Sequence, residues 1–336
     1  MRAVVNPAFD PSAVPAPSGA AAGFHRGLPG YAPTPVHRLG AVAVKDESHR
    51  LGLPAFKILG ASWATELALR EAPRTHSLVA ASAGNHGRAV AHAAALRGLA
   101  CRVYLPARSL AVRREAIAGE GAEVVVVDGT YEAAVQLAER AAGEPGVALI
   151  ADVGAGGPAE WVIDGYQTLF AEAAAQAAYD LILVPVGVGS LAAAAARHGA
   201  QAGVPVVGVE PGTAACLSAS LLHGAPTPVP TPGTTMAGLD CAEVSPAAWP
   251  TLRRGIAGAV TVTDEEAGAA MRELASAGLA IGESGAAPLA GLRALEDDPR
   301  CAQLRDHVRL GPETRVLLIA TEGLTGGGGP PPRAGS

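Results

Sequence analysis

The chain has 336 residues, 49% of them hydrophobic, 17% charged and only 4% aromatic, with a formal net charge of −6. A chain this apolar buries a large core, in about two domains at roughly 150 residues each or in one large one, so global disorder is excluded. The acidic balance excludes the concentrated basic face that nucleic-acid binding needs, and four cysteines without a CxxC pair (Cys101, Cys216, Cys241, Cys301) read as reduced thiols, not as a disulfide frame.

Residues 1–29, rich in Pro, Ala and Ser and without the apolar segment of a secretory signal, read as a flexible arm. Tyr31-Ala-Pro-Thr-Pro35 is a rigid, extended entry. A short strand is expected over 41–45, a loop over 49–55 and a helix over 56–70. A buried strand over 77–81 leads into Ser82-Ala-Gly-Asn-His-Gly87 and a helix over 88–97. Strands over 101–105, 123–127 and 147–151 alternate with helices over 111–120 and 131–142. One long helix is expected over 160–178. A strand over 181–186 ends in Gly187-Val-Gly-Ser190, and a helix starts at Leu191. A strand over 204–209, a Pro/Thr/Gly-rich loop over 224–240, helices near 246–255, 264–277 and 284–296, and a strand over 316–320 follow. Residues 326–336 read as a disordered tail.

Strands that are continuous apolar runs, alternating with helices, predict α/β architecture with open, doubly wound parallel sheets covered on both faces. Ligands of such folds bind beyond the carboxyl ends of the strands. Ser82–Gly87, Gly187–Ser190 and Thr321–Gly323 all stand there. The apolar run 181–196 is broken by Pro185, Gly187 and Gly189 and is shorter than about 18 residues, so no membrane span is expected. A soluble cytoplasmic protein is the default expectation.

Lysine is rare: of 25 basic residues only Lys45 and Lys57 are lysine, and the rest are Arg. Lysine can lose its proton and attack a carbonyl, which Arg cannot. Lys45, in Val-Lys-Asp-Glu, reads as an exposed charge pairing with Asp46 or Glu47. Lys57, at a helix start, opposes the helix dipole, which suggests a reason to retain it. Gly187-Val-Gly-Ser-Leu-Ala192 opens a helix after a strand and suits either a phosphate or a tight turn alone. It also matches G-x-G-x-x-A, with Glu210 about 20 residues on, which keeps a nicotinamide-dependent oxidoreductase as an alternative. The Ser82–Gly87 loop suits a carboxylate, or merely an N-cap with local hydrogen bonds. A lysine nucleophile, a phosphate cradle and a second anion loop together fit pyridoxal phosphate bound to an amino acid.

Lys45-Asp-Glu-Ser48, Phe56-Lys57-Ile-Leu-Gly-Ala61, Ser82-Ala-Gly-Asn-His-Gly87 and Gly187-Val-Gly-Ser-Leu191 resemble the tryptophan synthase β-like (fold type II) pyridoxal-phosphate enzymes. With Thr235-Met-Ala-Gly-Leu-Asp-Cys241, Gly282-Glu-Ser-Gly285 and Thr321-Glu-Gly323, the chain most resembles the diaminopropionate ammonia-lyases, over about 31–325. The resemblance implies a large cofactor domain (30–75 and 146–325), a small α/β domain (76–145), and a homodimer. It implies that Lys57 forms the Schiff base and moves the Cα proton, and that Asp152 lies near the leaving group. Asn85 would bond the ring hydroxyl oxygen. Gly187, Val188, Gly189, Ser190 and Leu191 would hold the phosphate, and Thr321 would face the pyridine nitrogen. Ser82, Ala83 and His86 would meet the substrate carboxylate. The implied reaction is α,β-elimination from a β-substituted L-amino acid such as 2,3-diaminopropionate, giving a 2-oxo acid and ammonia. L-serine or L-threonine dehydration and β-replacement stay open. The ammonia-lyase pattern has Asp where this chain has Ala83, which argues against D-substrates. No metal is expected: relatives of serine racemase type place an acidic ligand six residues after the Glu of a Glu-Pro pair, but after Glu210-Pro211 that position is Cys216, a poor ligand for a hard cation.

Overall fold

The computed structural model describes residues 2–324; the tail expected over 326–336 lies outside them. Eleven strands form two sheets. They are β1 (Ala3–Val5), β2 (Val36–Leu39), β3 (Val42–Asp46), β4 (Ser77–Ala81), β5 (Ala100–Pro106), β6 (Glu123–Val127), β7 (Val147–Leu149), β8 (Leu181–Pro185), β9 (Val206–Pro211), β10 (Gly258–Val262) and β11 (Val316–Ala320). The larger sheet runs β1-β10-β9-β8-β11-β3-β2, and the smaller β6-β5-β4-β7. Every pairing is parallel except at the two edges of the larger sheet, where β1 meets β10 and β2 meets β3. In β8, β9, β10 and β11 every residue is buried, as strands covered on both faces must be.

This strand order brings chemistry together. β8 and β11 are neighbours, so Gly187–Ser190 and Thr321–Gly323 leave the larger sheet side by side. β4 and β7 are neighbours, so the Ser82–Gly87 loop and Asp152 leave the smaller sheet side by side. The helix Lys57–Glu71 is stitched to the end of β11: Phe56 N–H donates to Thr321 O (3.2 Å) and Gly323 N–H to Pro54 O (3.0 Å). Its first turn lies against the helix Pro158–Gly165 so closely that a Cβ on Gly165 would sit 2.5 Å from Leu59 O.

Three expectations need correction. Residues 1–29 are not a loose arm. β1 caps one edge of the larger sheet, Asn6 Nδ2 donates to Ile256 O (2.7 Å), and the helix Ala20–Arg26 buries His25 against Thr168 Oγ1 (2.7 Å) and Leu59 O (3.0 Å). A three-residue strand and an Ala-rich turn of helix carry no periodicity, so tertiary partners alone order them. The helix expected over 160–178 is two, Pro158–Gly165 and Gln167–Gln176. Between them Tyr166 packs its ring 4.7 Å from that of Phe56, and Leu169 N–H closes an i→i+3 bond to Tyr166 O.

Lys45 is the third. It is fully buried and donates to Glu172 Oε2 (2.7 Å), Thr34 O (2.7 Å) and Gln176 Oε1 (3.1 Å). Asp46 instead lies beside His37, and Glu47 beside Arg50. Arg50, also buried, reaches both Glu47 (2.6 Å) and Glu172 (2.7 Å). Two cations and two carboxylates thus cancel inside the protein, tying β3 and its following loop to the helix Gln167–Gln176. Burial alone would raise the Glu172 carboxyl. The hydrogen bond and charge of Arg50, with Lys45 and Tyr31, outweigh it and hold Glu172 at about 2, below its ordinary 4.5.

A carboxyl whose folded value is depressed stabilises the fold above its unfolded value and loses that contribution as pH falls through the folded one. Stability should therefore fall between about pH 4.5 and 2 less steeply in Glu172→Gln than in the unmodified chain. Glu172→Ala, which strands two buried cations, should cost about 3–5 kcal/mol at neutral pH. Urea unfolding followed by circular dichroism checks both, and a cost below about 1 kcal/mol would show the cluster to be dispensable.

Candidate active site

Lys57 opens its helix with its side chain 22% exposed, and Nζ donates to Asp152 Oδ2 at 2.9 Å. The aromatic rings of Phe56 and Tyr166 lie 5.4 Å and 5.9 Å from Nζ, so the cation is walled by π faces. Burial alone would push the Lys57 ammonium down, but the Asp152 charge outweighs it and holds the group above its ordinary value. Burial alone would likewise raise Asp152. The neighbouring His86 ring, the Lys57 charge and the hydrogen bond from Lys57 hold it well below the usual carboxylate range.

His86 joins this pair. The buried ring places Nε2 on Ile150 O (2.9 Å) and Nδ1 3.7 Å from Asp152 Oδ2, with no hydrogen-bond partner on Nδ1 among the described residues. Burial first, and then the Lys57 charge, lower the imidazole's affinity for a proton, with Asp152 opposing. If Nε2–H donates to the Ile150 carbonyl, Nδ1 is a bare acceptor facing the site.

Gly187, Val188 and Gly189 link β8 to the helix Ser190–Ala202. Gly189 has φ +92°, and a Cβ there would lie 2.6 Å from Leu252 Cδ1; one on Gly187 would lie 2.7 Å from Gly238 O. Only glycine fits either place. The first-turn N–H groups of that helix have no intrahelical acceptor and stand at the positive end of its dipole, the arrangement that suits an anion. Ser190 Oγ donates to Asp152 O (3.0 Å), tying this loop to the carboxylate that holds Lys57. A lysine beside a glycine-walled helix start fits what pyridoxal phosphate requires, an amine for its aldehyde and N–H donors for its phosphate.

The structure brings Lys57, Asp152, His86 and Ser190 together in one chain of contacts. Ser82 Oγ accepts from Gly84 N–H (3.2 Å), closing the turn before the helix Asn85–Leu96; Ala83 is half-buried in that turn. Thr321 is buried at the end of β11. Asn85 turns its Nδ2 to Glu322 Oε2 at 2.6 Å. Glu322, raised above its ordinary value chiefly by burial, and Tyr166, raised to about 12 by burial, were not expected at the site. Glu322 stood in the quoted Thr-Glu-Gly stretch, whereas Tyr166 lay in what read as a featureless helix. The Glu210 carboxylate accepts from the N–H groups of Leu217 (2.9 Å) and Ser218 (2.7 Å). No helix among the described residues is long and apolar enough to cross a membrane.

Residues 28–322 match the family described as pyridoxal-phosphate dependent enzyme. Diaminopropionate ammonia-lyases from Salmonella typhimurium and Escherichia coli K12 are 34% and 32% identical over 90% of this chain, and the match covers 88% and 87% of theirs. The solved structure of the Escherichia coli enzyme in complex with an aminoacrylate–PLP azomethine reaction intermediate superposes with a TM-score of 0.86 at 30% identity, covering 96% of this chain and 93% of that one. Biosynthetic L-threonine dehydratase of Escherichia coli is 31% identical over 47% of this chain and 30% of its own.

The pairing of Lys57 with Asp152 makes a prediction that the rarity of lysine renders clean. With no cofactor bound, Asp152→Asn removes the charge that keeps Lys57 protonated. Acylation of Lys57 by an amine-selective reagent at pH 8 should rise at least about tenfold, the effect of one pKa unit. Peptide mapping reads it, with buried Lys45 as the internal control. Equal labelling of both proteins would mean that Asp152 does not govern the Lys57 proton.

Proposed function

Because the chain belongs to the pyridoxal-phosphate-dependent enzymes, we propose that it is a carbon–nitrogen lyase acting on a β-substituted L-amino acid of the 2,3-diaminopropionate type. The products are a 2-oxo acid and ammonia. The observation that carries this reading is the 2.9 Å contact between Lys57 Nζ and Asp152 Oδ2, which sets a base and an acid side by side at the mouth of the site. When bound, the cofactor supplies the electron sink for the carbanion at Cα.

Each residue then has a task. Lys57 would hold the cofactor through Nζ and, once that amine is free, would take the proton from Cα. Asp152, anionic beside the Lys57 cation, takes that proton at Oδ2 and releases it to the departing β-amine, so one proton passes from Cα to the leaving group. The enamine product hydrolyses to the 2-oxo acid with loss of a second ammonia. The N–H groups of Gly187, Val188, Gly189, Ser190 and Leu191 hold the phosphate. Asn85 bonds the ring hydroxyl oxygen, and Thr321 offers the pyridine nitrogen a hydroxyl. A hydroxyl does not keep that nitrogen charged as a carboxylate does, which favours elimination over transamination. Ser82, Ala83 and His86 line the substrate carboxylate. Because His86 Nε2 is committed to Ile150 O and a bare Nδ1 can only accept, its share is its backbone N–H at the helix start.

Ala83 has no titratable group, and this favours L-substrates and keeps L-serine or L-threonine dehydration as a second reading. Family membership leaves no place for the nicotinamide alternative. Unpaired thiols fit a reducing, cytoplasmic compartment, and the family resemblance supports a homodimer.

Borohydride treatment should bleach the visible band and leave the reduced adduct on Lys57, and Lys57→Arg should have no such band. An adduct on Lys45 would overturn the assignment. With L-2,3-diaminopropionate as substrate, Asp152→Asn should lower kcat by about 10²–10⁴-fold with a much smaller change in KM. Comparable rates on the D- and L-isomers by the unmodified enzyme would refute the argument from Ala83 and point to a second base.

A further inference from the structure

Glu322 is a buried carboxylate for which the steps above have no task. It lies two residues beyond β11 and is 8% exposed. It accepts a hydrogen bond from Asn85 Nδ2 at 2.6 Å, and the nearby Ser284 hydroxyl favours its charged form. Its backbone is fixed on both sides: Glu322 bridges Ala55, Gly282 N–H donates to Glu322 O (3.0 Å), and Gly323 N–H donates to Pro54 O (3.0 Å). Asn85, by contrast, opens a helix at the carboxyl end of β4, in the other sheet's half of the molecule. The contact therefore crosses the cleft from a fixed carboxylate to a side-chain amide that can rotate.

An ionised carboxylate only accepts hydrogen bonds, so it selects one of the two amide orientations of Asn85, the one with Nδ2 toward Glu322. Nδ2 carries two hydrogens, and one is used on Glu322. We propose that Glu322 is a positioning residue that locks the Asn85 amide so that its second N–H, and not Oδ1, is offered to the ring hydroxyl oxygen of bound pyridoxal phosphate. This rests on the assignment of Asn85 to that oxygen. Without Glu322 the amide is free to turn, and the turned state sets oxygen against oxygen. The hydrogen bond to a charged acceptor is strong enough to hold the preference.

The test uses holoenzyme carrying Asn85→Ala, Glu322→Gln or Glu322→Ala, and each Glu322 change combined with Asn85→Ala. Two quantities are read besides turnover: the cofactor dissociation constant, by titrating the visible band, and the position of that band, which responds to hydrogen bonding at the ring oxygen. Asn85→Ala should weaken binding about tenfold and move the band, as expected for one lost hydrogen bond to a charged group. Glu322→Ala should approach that effect, and Glu322→Gln, which can satisfy either amide orientation, should weaken binding about threefold. In the Asn85→Ala background neither Glu322 change should alter the dissociation constant by more than about twofold. If Glu322→Ala misfolds by circular dichroism, the volume-conserving Glu322→Gln decides. Glu322 variants with wild-type band and affinity, or with the same loss whether or not Asn85 is present, would overturn the proposal while leaving the Asn85 assignment intact. An Asn85→Ala protein with unchanged band and affinity would overturn both.

Discussion

Everything in the site is arranged around one half-buried ion pair, Lys57 with Asp152. A lysine in the first turn of a helix meets the positive end of the dipole and is destabilised there. Burial among Phe56, Tyr166 and Cys241 adds to the cost. Asp152 offsets both, and it does so from the other sheet's side of the cleft, since it follows β7 whereas the Lys57 helix is stitched to the end of β11. The pair thus holds the two halves of the site in register. Ser190 extends the linkage by donating to the Asp152 carbonyl, so the glycine-walled helix start cannot move without disturbing the acid.

Much of this was legible along the chain because it is local. Strand-loop-helix junctions announce themselves by an apolar run followed by glycine, and the two junctions at Ser82–Gly87 and Gly187–Ser190 lie where that rule places them. Lys57 stood out because arginine had displaced almost every other lysine. What the chain concealed is non-local. Glu172 is 127 residues from Lys45 and 122 from Arg50, and no spacing rule links them. β1 is three residues long and is a strand only because β10 offers it an edge. Tyr166 breaks a helix that its own sequence would continue, and only its packing against Phe56 and Gly60 explains the break.

The two lysines show why proton affinity alone does not identify a nucleophile. Burial lowers the Lys45 ammonium despite its carboxylate partners, whereas Asp152 keeps Lys57 raised. By proton affinity, Lys45 is the better amine. Yet Lys45 has no exposed surface and donates to three fixed acceptors, Glu172, Thr34 O and Gln176, so no carbonyl can reach it. Lys57 is partly exposed, has one carboxylate partner, and stands beside a helix start free to hold an anion.

The contrast extends to how each charge can be released. In the Lys45 cluster, Arg50 stays protonated at any physiological pH, so Glu47 and Glu172 are always paired and a departing lysine proton would leave them with an excess of negative charge. The cluster is balanced only when every member keeps its charge, which makes it a fixed element of structure. Among the described residues the Lys57 pair has no arginine beside it: Nζ has Asp152 as its one carboxylate partner and a partly exposed side chain, which is the access an amine nucleophile in a partly buried site requires.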